Sequence, residues 1–581
     1  TSNWSGKTVT LAEGVCRPAH SDARHRVVDL PGAYSLRARS REEEVARDFL
    51  LGGAYDAVVC VADACRPERG LSFALQVREI TPRVVVCLNM MDEARARGIA
   101  LDAATLTREL GVPVVPVSAK RREGLRELLR AVEDVSVGDT LPRGVKIPRE
   151  PEDFVREAER VTRLAVRFPE KLPDRTRALD RVFTGPLGRL VMLGLLALTL
   201  WISLAGANYP TAALARLFAR SETLLAAAFT SLGAPWWLRD ALLQGVFRSL
   251  TWVVAVMLPP MAIFFPLFTV LEDFGYLPRV AYNLDGSFQR ARACGKQSMT
   301  MCLGLGCNAA GVTGCRIIDA PREKLIAILT NSLMPCNGRF PLLIAVLSMF
   351  FNAPGAGGGA LRAQLLALMI TLGAALTFLA SRALSGSLLR GEASSFILEL
   401  PPYRAPRVLQ ILTRSLLDRT LFVLGRAAAV AAPAGLVIWL VANLRVGDTS
   451  ILAALADFLD PAAHFIGLDG VILLAFILAF PANEIVVPII LMGYTAGASL
   501  VEPGSLAQLR ATLTANGWTP VTAVCVLLFC LAHWPCSTTC LTIKKETGSL
   551  RWTAVAVALP TLIGAAMCAA VRALAGLANI I

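Results

Sequence analysis

The distribution of charge along the chain divides it into two parts that must fold in different surroundings. Residues 1–180 are densely charged, whereas beyond residue 187 long apolar stretches follow one another, and Gly470–Tyr494 carries a single ionisable side chain, Glu484. A helix needs about 20 apolar residues to cross a ~30 Å hydrocarbon core. The pattern therefore predicts a soluble front and a membrane-embedded back, and 581 residues are in any case too many for one ordinary domain. Candidate spans lie near 188–207, 250–271, 324–351, 361–381, 420–444, 469–498, 519–541 and 553–578.

Loop charge orients these segments. Arg279, Arg290, Arg292 and Lys296 mark the 272–296 loop, and Arg382, Arg390, Arg404, Arg407, Arg414 and Arg419 mark the 382–419 loop. Both are expected on the cytoplasmic side, so an even number of crossings separates them. Segments 324–351 and 361–381 already supply two. The uncharged stretch Gln297–Cys315, with Gly304, Gly306, Gly311 and Gly314, is then expected to be re-entrant or broken. Such backbone is tolerated at membrane depth only inside protein or along a cavity.

The membrane part also echoes itself. Met334-Pro335-Cys336 recurs as Trp534-Pro535-Cys536, and upstream of each lies a broken segment with Asn at its centre, Gly306-Cys307-Asn308 and Pro481-Ala482-Asn483. Interrupted segments in matching positions of two halves, about 250–381 and 420–578, point to a transport site between them.

In the front part, short β-branched runs alternate with amphipathic stretches. Val27–Leu30, Ala57–Ala62, Val84–Leu88 and Val112–Val117 read as buried parallel strands, and Glu42–Leu51 and Gly124–Val132 as helices. The fold class expected is thus an α/β G domain with an incomplete parallel sheet (1–132) and a short helical connector (133–186). An all-α polytopic membrane domain with broken or re-entrant helices (187–581) follows. Three strand ends carry nucleotide chemistry. At Asp29-Leu30-Pro31-Gly32 a carboxylate can hold a Mg²⁺-bound water and a glycine amide can approach a γ-phosphate. At Asn89-Met90-Met91-Asp92 the aspartate can accept two N–H groups of guanine. Ser118-Ala119-Lys120 offers a backbone N–H to the guanine carbonyl. Ser5-Gly6-Lys7-Thr8 is not a phosphate-binding loop, because Thr1 stands where that motif needs glycine and no strand precedes it. A chain that starts at Thr1 is expected to lack a leading segment; without the P-loop it should bind GTP or GDP poorly and be a poor or inactive GTPase.

The net charge of +13 falls in the soluble part and in loops, with no aromatic–basic motif for nucleic acid. The 14 cysteines form no disulfide framework, several lying inside apolar segments. Glu484, costly in hydrocarbon, should face a polar cavity. Cys307, Asn308, Cys336 and Cys536, beside Gly or Pro breaks, are candidate metal contacts. His533 joins them because i,i+3 spacing would place it on one helix face with Cys536. Cys302, Cys315, Cys530 and Cys540 are assigned to packing. Thiolate, carboxylate and amide oxygen suit Fe²⁺ and leave Mn²⁺ and Zn²⁺ open.

These residues resemble the FeoB ferrous iron transporter family. Asn3–Val9 is similar to its switch I segment, which would make Thr8 the Mg²⁺-sensing threonine. Asp29–Leu36 is similar to its second switch, and Glu42–Leu51 to its Glu-Glu-x-Val-Ala-Arg-Asp stretch. Asp174–Gly188, Leu271–Tyr276, Gly304–Asn308 and Trp534–Gly548 resemble its junction and membrane motifs. The chain departs from the family at Ala309-Ala310-Gly311, at Pro335 and at Asn483, where Val-Pro-Ala, Ser and Lys are usual. The resemblance implies GTP-regulated or GTP-driven Fe²⁺ transport across a bacterial inner membrane into the cytoplasm. It also implies a cytoplasmic G domain and small accessory Feo-type proteins. Transport of another divalent metal, or a regulatory GTPase merely anchored in the lipid bilayer, are the alternative readings.

Overall fold

The computed structural model describes residues 12–16, 24–30, 36, 41–137, 151–168, 182–185, 188–318, 320–351, 357–390, 412–413, 415–447, 449–497, 499–500 and 505–578. The chain divides into two compact units, Thr1–Arg181 and Val182–Ile581.

In the first unit the elements run β1 (Ala12–Cys16), β2 (His25–Asp29), α1 (Arg41–Leu51), β3 (Val58–Asp63), α2 (Pro67–Ile80), β4 (Val84–Asn89) and α3 (Met91–Ala96). They continue as β5 (Ala100–Leu101), α4 (Ala103–Leu110), β6 (Val114–Pro116), α5 (Leu125–Val137), α6 (Pro151–Ala165) and β7 (Val166–Arg167). β3, β4 and β6 form a parallel sheet in that order. β4 is central, and Val84 to Leu88 are all buried, so it reads as an unbroken apolar run rather than an alternation. α4 begins where Asp102 Oδ1 accepts the amides of Ala104 and Thr105 and stops at Gly111, whose φ of 63° suits glycine.

One strand departs from expectation. Val27–Leu30 is not a buried parallel strand: β2 pairs antiparallel with β1, and Val27 is half exposed. A β-branched run signals strand but not its partner, and here the neighbouring chain returns as a hairpin. The 133–186 stretch contributes more than a tether. α6 packs on α2 and adds Phe154, Ala158, Val161 and Ala165 to the core that holds Leu71, Val86 and Leu106.

The second unit is helical. Its elements are α7 (Gly188–Ser231), α8 (Trp236–Phe274), α9 (Tyr276–Arg290), α10 (Gln297–Gly306), α11 (Asn308–Gly314), α12 (Pro321–Thr330), α13 (Phe340–Phe350) and α14 (Gly357–Gly386). There follow α15 (Phe422–Asn443), α16 (Ile451–Phe465), α17 (Gly470–Leu478), α18 (Val486–Tyr494), α19 (Leu506–Ala515), α20 (Pro520–Leu531), α21 (Ser537–Thr547) and α22 (Leu550–Leu577). Among the described residues five helices are long and apolar enough to cross a membrane unaided, within α7, α8, α14, α15 and α22. The 188–207 expectation was too short. α7 holds 44 residues, roughly 66 Å at 1.5 Å per residue, and outreaches a ~30 Å hydrocarbon core.

Two of the expected spans are broken and a third folds back on itself. Segment 324–351 splits into α12 and α13 around Met334–Arg339, and 519–541 splits into α20 and α21 around Ala532–Cys536. Both pieces of the second lie along unbroken α22. Cys525 and Cys568 exchange sulfur–carbonyl contacts, Ala532 lies against Gly564, and Ile543 clusters with Ala556. Thus α20 and α21 run on between opposite ends of the bundle. Segment 469–498 instead folds back: Tyr494 Oη donates to Asp469, so the start of α17 and the end of α18 meet. α10 and α11 fold back likewise, a Cβ at Gly314 lying 2.7 Å from the Leu303 side chain. The segment 297–315, expected to be re-entrant or broken, is thus two short helices folded back as a hairpin.

The two hairpins enter from opposite ends. The α10–α11 hairpin leaves near Arg316, which pairs with Glu546 at the foot of α21 (Nη2–Oε1 2.6 Å). The α17–α18 hairpin is tied to the head of α20, where Trp518 Nε1 donates to Tyr494 Oη (2.8 Å).

Arg339 holds the breaks together. It is fully buried, and its guanidinium donates to the carbonyls of Ser332 (2.8 Å), Leu531 (2.7 Å) and His533 (3.1 Å). Arg339→Leu strands those carbonyls and is expected to destabilise the solubilised protein by about 3 kcal/mol or more. Arg339→Lys should recover only part of this, since an ammonium cannot span the same fork of acceptors. Thermal unfolding in detergent checks both.

Candidate functional site

In the first unit the strand ends bring two of the sequence-read segments together. Asn89 closes β4 and its Oδ1 accepts the Ala119 amide (3.1 Å). Met90 then turns in the left-handed region at φ 69°, which is uncommon for a non-glycine residue and delivers Asp92 into the first turn of α3. Ser118 Oγ donates to Asp92 Oδ1 (2.9 Å), fixing a carboxylate beside the Ser118–Lys120 loop. Burial alone would raise this carboxyl. The Ser118 hydroxyl, its own backbone amide and the charges of Lys120 and Arg121 outweigh burial and hold it below the ordinary value. The arrangement can present one carboxylate oxygen pair and the Ala119–Lys120 backbone to a planar ring edge. Asp29 ends β2, and Leu30 packs against the core under the sheet. Thr8, Pro31 and Gly32 lie outside the described residues.

In the second unit the four breaks meet. A cavity of about 30 Å³ is lined by Cys307 and Asn308 from the first hairpin tip, by Cys336, Asn337 and Gly338, and by Pro481–Glu484 from the second tip. Cys536, Thr538 and Thr539 complete its polar wall, with Met257, Met261, Val423 and Ala427. A water needs ~10–15 Å³ of such space, so an ion with little of its hydration shell fits. Five sequence-read candidates, Cys307, Asn308, Cys336, Glu484 and Cys536, therefore face one space.

The same hydrogen bond builds each half of the wall. Asn337 N, after Cys336, donates to Gly306 O just before the first tip (3.4 Å). Ser537 N, after Cys536, donates to Phe480 O just before the second (2.8 Å). Gly338 approaches Glu484 closely: a Cβ there would lie 2.3 Å from Glu484 Oε1 and displace the carboxylate.

His533 is placed differently. It is not on a helix face with Cys536, because α20 ends at Leu531 and Cys536 is the N-cap of α21. The i,i+3 rule presupposes a continuous helix, and Pro535 helps to interrupt this one. His533 stands behind the cavity wall, fully buried, with Nε2 against the Asn483 side chain. Cys302 is buried away from the cavity, Cys315 sits in an apolar cluster with its thiol toward the Gly311 carbonyl, and Cys530 and Cys540 point to the carbonyls of Arg339 and Pro535. No cluster of three His, Cys, Asp or Glu in ligating arrangement occurs among the described residues.

Sequence reasoning marked Asn483 as the centre of a break but gave it no role in the site, and it passed over Thr538 and Arg339. Arg339 carried a usable signal, a lone charge between Lys324 and Arg362 in an apolar stretch. Thr538 carried none, since its role depends on where α21 begins.

Comparison with known families follows the same division. The family model described as "Ferrous iron transport protein B" matches residues 1–132, and "Ferrous iron transport protein B C terminus" matches 366–418. The chain belongs to the FeoB family. A further model, "Nucleoside recognition", matches 254–350 and 424–550, the two stretches that carry the paired breaks. Among FeoB relatives, the Fe(2+) transporter FeoB of Campylobacter jejuni is 27% identical, covering 95% of this chain and 90% of its own. The Fe(2+) transporter FeoB of Synechocystis is 28% identical over 96% and 89%. The solved FeoB G domain of T. maritima is 37% identical, covering 23% of this chain and 81% of its own, at a TM-score of 0.21. That of Methanococcus jannaschii is 38% identical over 23% and 86%, also at 0.21.

Because Asp92 titrates low in the fold, it stabilises the unit above its unfolded value, and that contribution is lost as pH falls through the folded one. Ser118→Ala should raise the Asp92 titration and cost about 1 kcal/mol near neutral pH after allowance for solvent screening. Carboxylate carbon shifts followed against pH, with urea unfolding at pH 7, measure both effects.

Proposed function

We propose that this chain carries ferrous iron across the membrane through the cavity at the four breaks, under the control of a guanine nucleotide bound by its front domain. The observation that carries the reading is the convergence of three cysteines, one glutamate and several amide- and hydroxyl-bearing residues on a single cavity. Mixed sulfur and oxygen donors match a borderline divalent ion, and a loose set without a closed Cys–His cage matches a cargo that must leave again. The FeoB relatives named as Fe(2+) transporters support the same cargo. A nucleoside would want aromatic side chains to stack on, and the cavity wall has none.

In this reading Glu484 supplies the charge that draws a divalent ion out of water, and Cys307, Cys336 and Cys536 supply soft contacts. Hairpins entering from opposite ends give each side of the membrane its own gate onto the site. Asp92 and the Ser118–Lys120 loop select guanine. Asp29, with Thr8, Pro31 and Gly32, would sense the γ-phosphate and its Mg²⁺, and loss of that contact would shift the switch segments. The domain plan proposed is a G domain over 1–132, a connector over 133–186 and a transport domain over 187–581 in the bacterial inner membrane, with the G domain cytoplasmic.

The test is Fe²⁺, Mn²⁺ and Zn²⁺ uptake into proteoliposomes, with and without GTP, by the chain supplied with a phosphate-binding loop ahead of Thr8, as wild type and as Glu484→Gln. GTP-dependent Fe²⁺ uptake that falls at least tenfold in Glu484→Gln is expected. Nucleotide turnover with no uptake of any metal would instead assign a membrane-anchored GTPase. Gly338→Ala, which drives a methyl group into the Glu484 carboxylate, should depress uptake to a similar degree while the protein remains folded.

A further inference from the structure

His533 lies outside the cavity, yet its hydrogen bonds decide which atom of a neighbouring side chain faces into it. Its ring is held among Phe476, Phe529 and Trp534. Nδ1 lies 2.9 Å from the carbonyl of Cys530 and 3.1 Å from that of Phe529. Carbonyl oxygens only accept, so Nδ1 carries the hydrogen. In the neutral ring Nε2 is then a bare lone pair and needs a donor. A second hydrogen would place another positive charge beside the Arg339 guanidinium, which already bonds His533 O.

The partner of Nε2 is the side-chain amide of Asn483, whose near atom is 3.3 Å away and stands as Oδ1. Two acceptors cannot bond. The oxygen and nitrogen of an amide are nearly isosteric, and hydrogen bonding decides their assignment. Exchanging them turns the Asn483 NH₂ toward His533 and its oxygen toward the cavity that Asn483 lines. Beside it Thr538, 4% exposed, has a hydroxyl oxygen with no hydrogen-bond partner among the described residues, in the same wall. The cavity wall thus holds one buried hydroxyl oxygen without a partner, that of Thr538, and the exchange turns the Asn483 oxygen to the same space, where a cation would satisfy both.

We propose that Asn483 Oδ1 is a neutral oxygen ligand for the metal ion in this cavity and that His533 is the positioning residue that orients it. This rests on the reading of the cavity as a divalent-metal site. It separates two roles that the sequence alone merged, since His533 acts through the amide and not on the metal. It also adds a hard donor to the thiols, shifting the site from one suited to the softest ions toward one that accepts Fe²⁺ and releases it.

The test uses the purified full-length chain in lipid nanodiscs, with Co²⁺ as the probe, because thiolate-to-cobalt charge transfer reports sulfur contact independently of affinity. Wild type should bind Co²⁺ with that band present. Asn483→Leu should bind on the order of tenfold more weakly with the band retained, which also shows that the site is still folded. His533→Phe should weaken binding too. A carboxylate has oxygen on both sides and needs no orienting partner, so Asn483→Asp should bind equally well with or without His533→Phe. Wild-type affinity in Asn483→Leu would overturn the ligand assignment. A double variant as weak as His533→Phe alone would reduce His533 to packing. Absence of the charge-transfer band in wild type would remove the metal cavity itself, and the transport reading with it.

Discussion

Backbone that leaves a helix at membrane depth must find hydrogen-bond partners inside the protein, and the arrangement of the membrane unit follows from how this chain supplies them. Carbonyls freed at Ser332 and at Leu531 and His533 converge on one guanidinium, that of Arg339. Amides after Cys336 and Cys536 find carbonyls just before the hairpin tips. Each break is tolerable only because another break lies beside it. Four interruptions are therefore driven into one place, and the space left between them is the cavity.

That constraint also explains why the polar lining is where it is. A residue at a break projects from backbone with no helical neighbours crowding it, so Cys307, Cys336, Cys536 and Glu484 line one cavity although they come from four segments. The small residues around them serve approach. Gly338 leaves room for the Glu484 carboxylate, and Gly306 lies so close to Phe264 that a Cβ would fall 2.1 Å from its ring. Opposed hairpins follow from the same geometry, since tips reaching one depth from the two ends must enter from opposite sides.

Much of this was legible in the sequence, for reasons that differ by element. The parallel strands showed because β3 and β4 are β-branched runs ending in Asp63 and Asn89, and the Asn89–Asp92 and Ser118–Lys120 loops, which the structure brings together, stood out because they sit at strand ends. The first hairpin showed through parity and its glycines. The second reads as a span in the sequence because α17 and α18 are as apolar as a crossing helix, and only the Tyr494–Asp469 bond reveals the return. β2 was misassigned because strand propensity is blind to pairing. His533 was placed on a helix face because spacing rules assume the helix continues. Asn483 was noticed as the centre of a break, yet its chemistry depends on a hydrogen bond from a residue 50 positions away.

The central claim is that segments from both halves ligate one ion with sulfur and oxygen together. X-ray absorption at the iron edge of the Fe²⁺-loaded, full-length chain reads this directly. The account predicts a mixed first shell, with a sulfur contribution that disappears when Cys307, Cys336 and Cys536 are all replaced by serine and an oxygen contribution that remains. A shell of oxygen alone in the wild-type protein would contradict it.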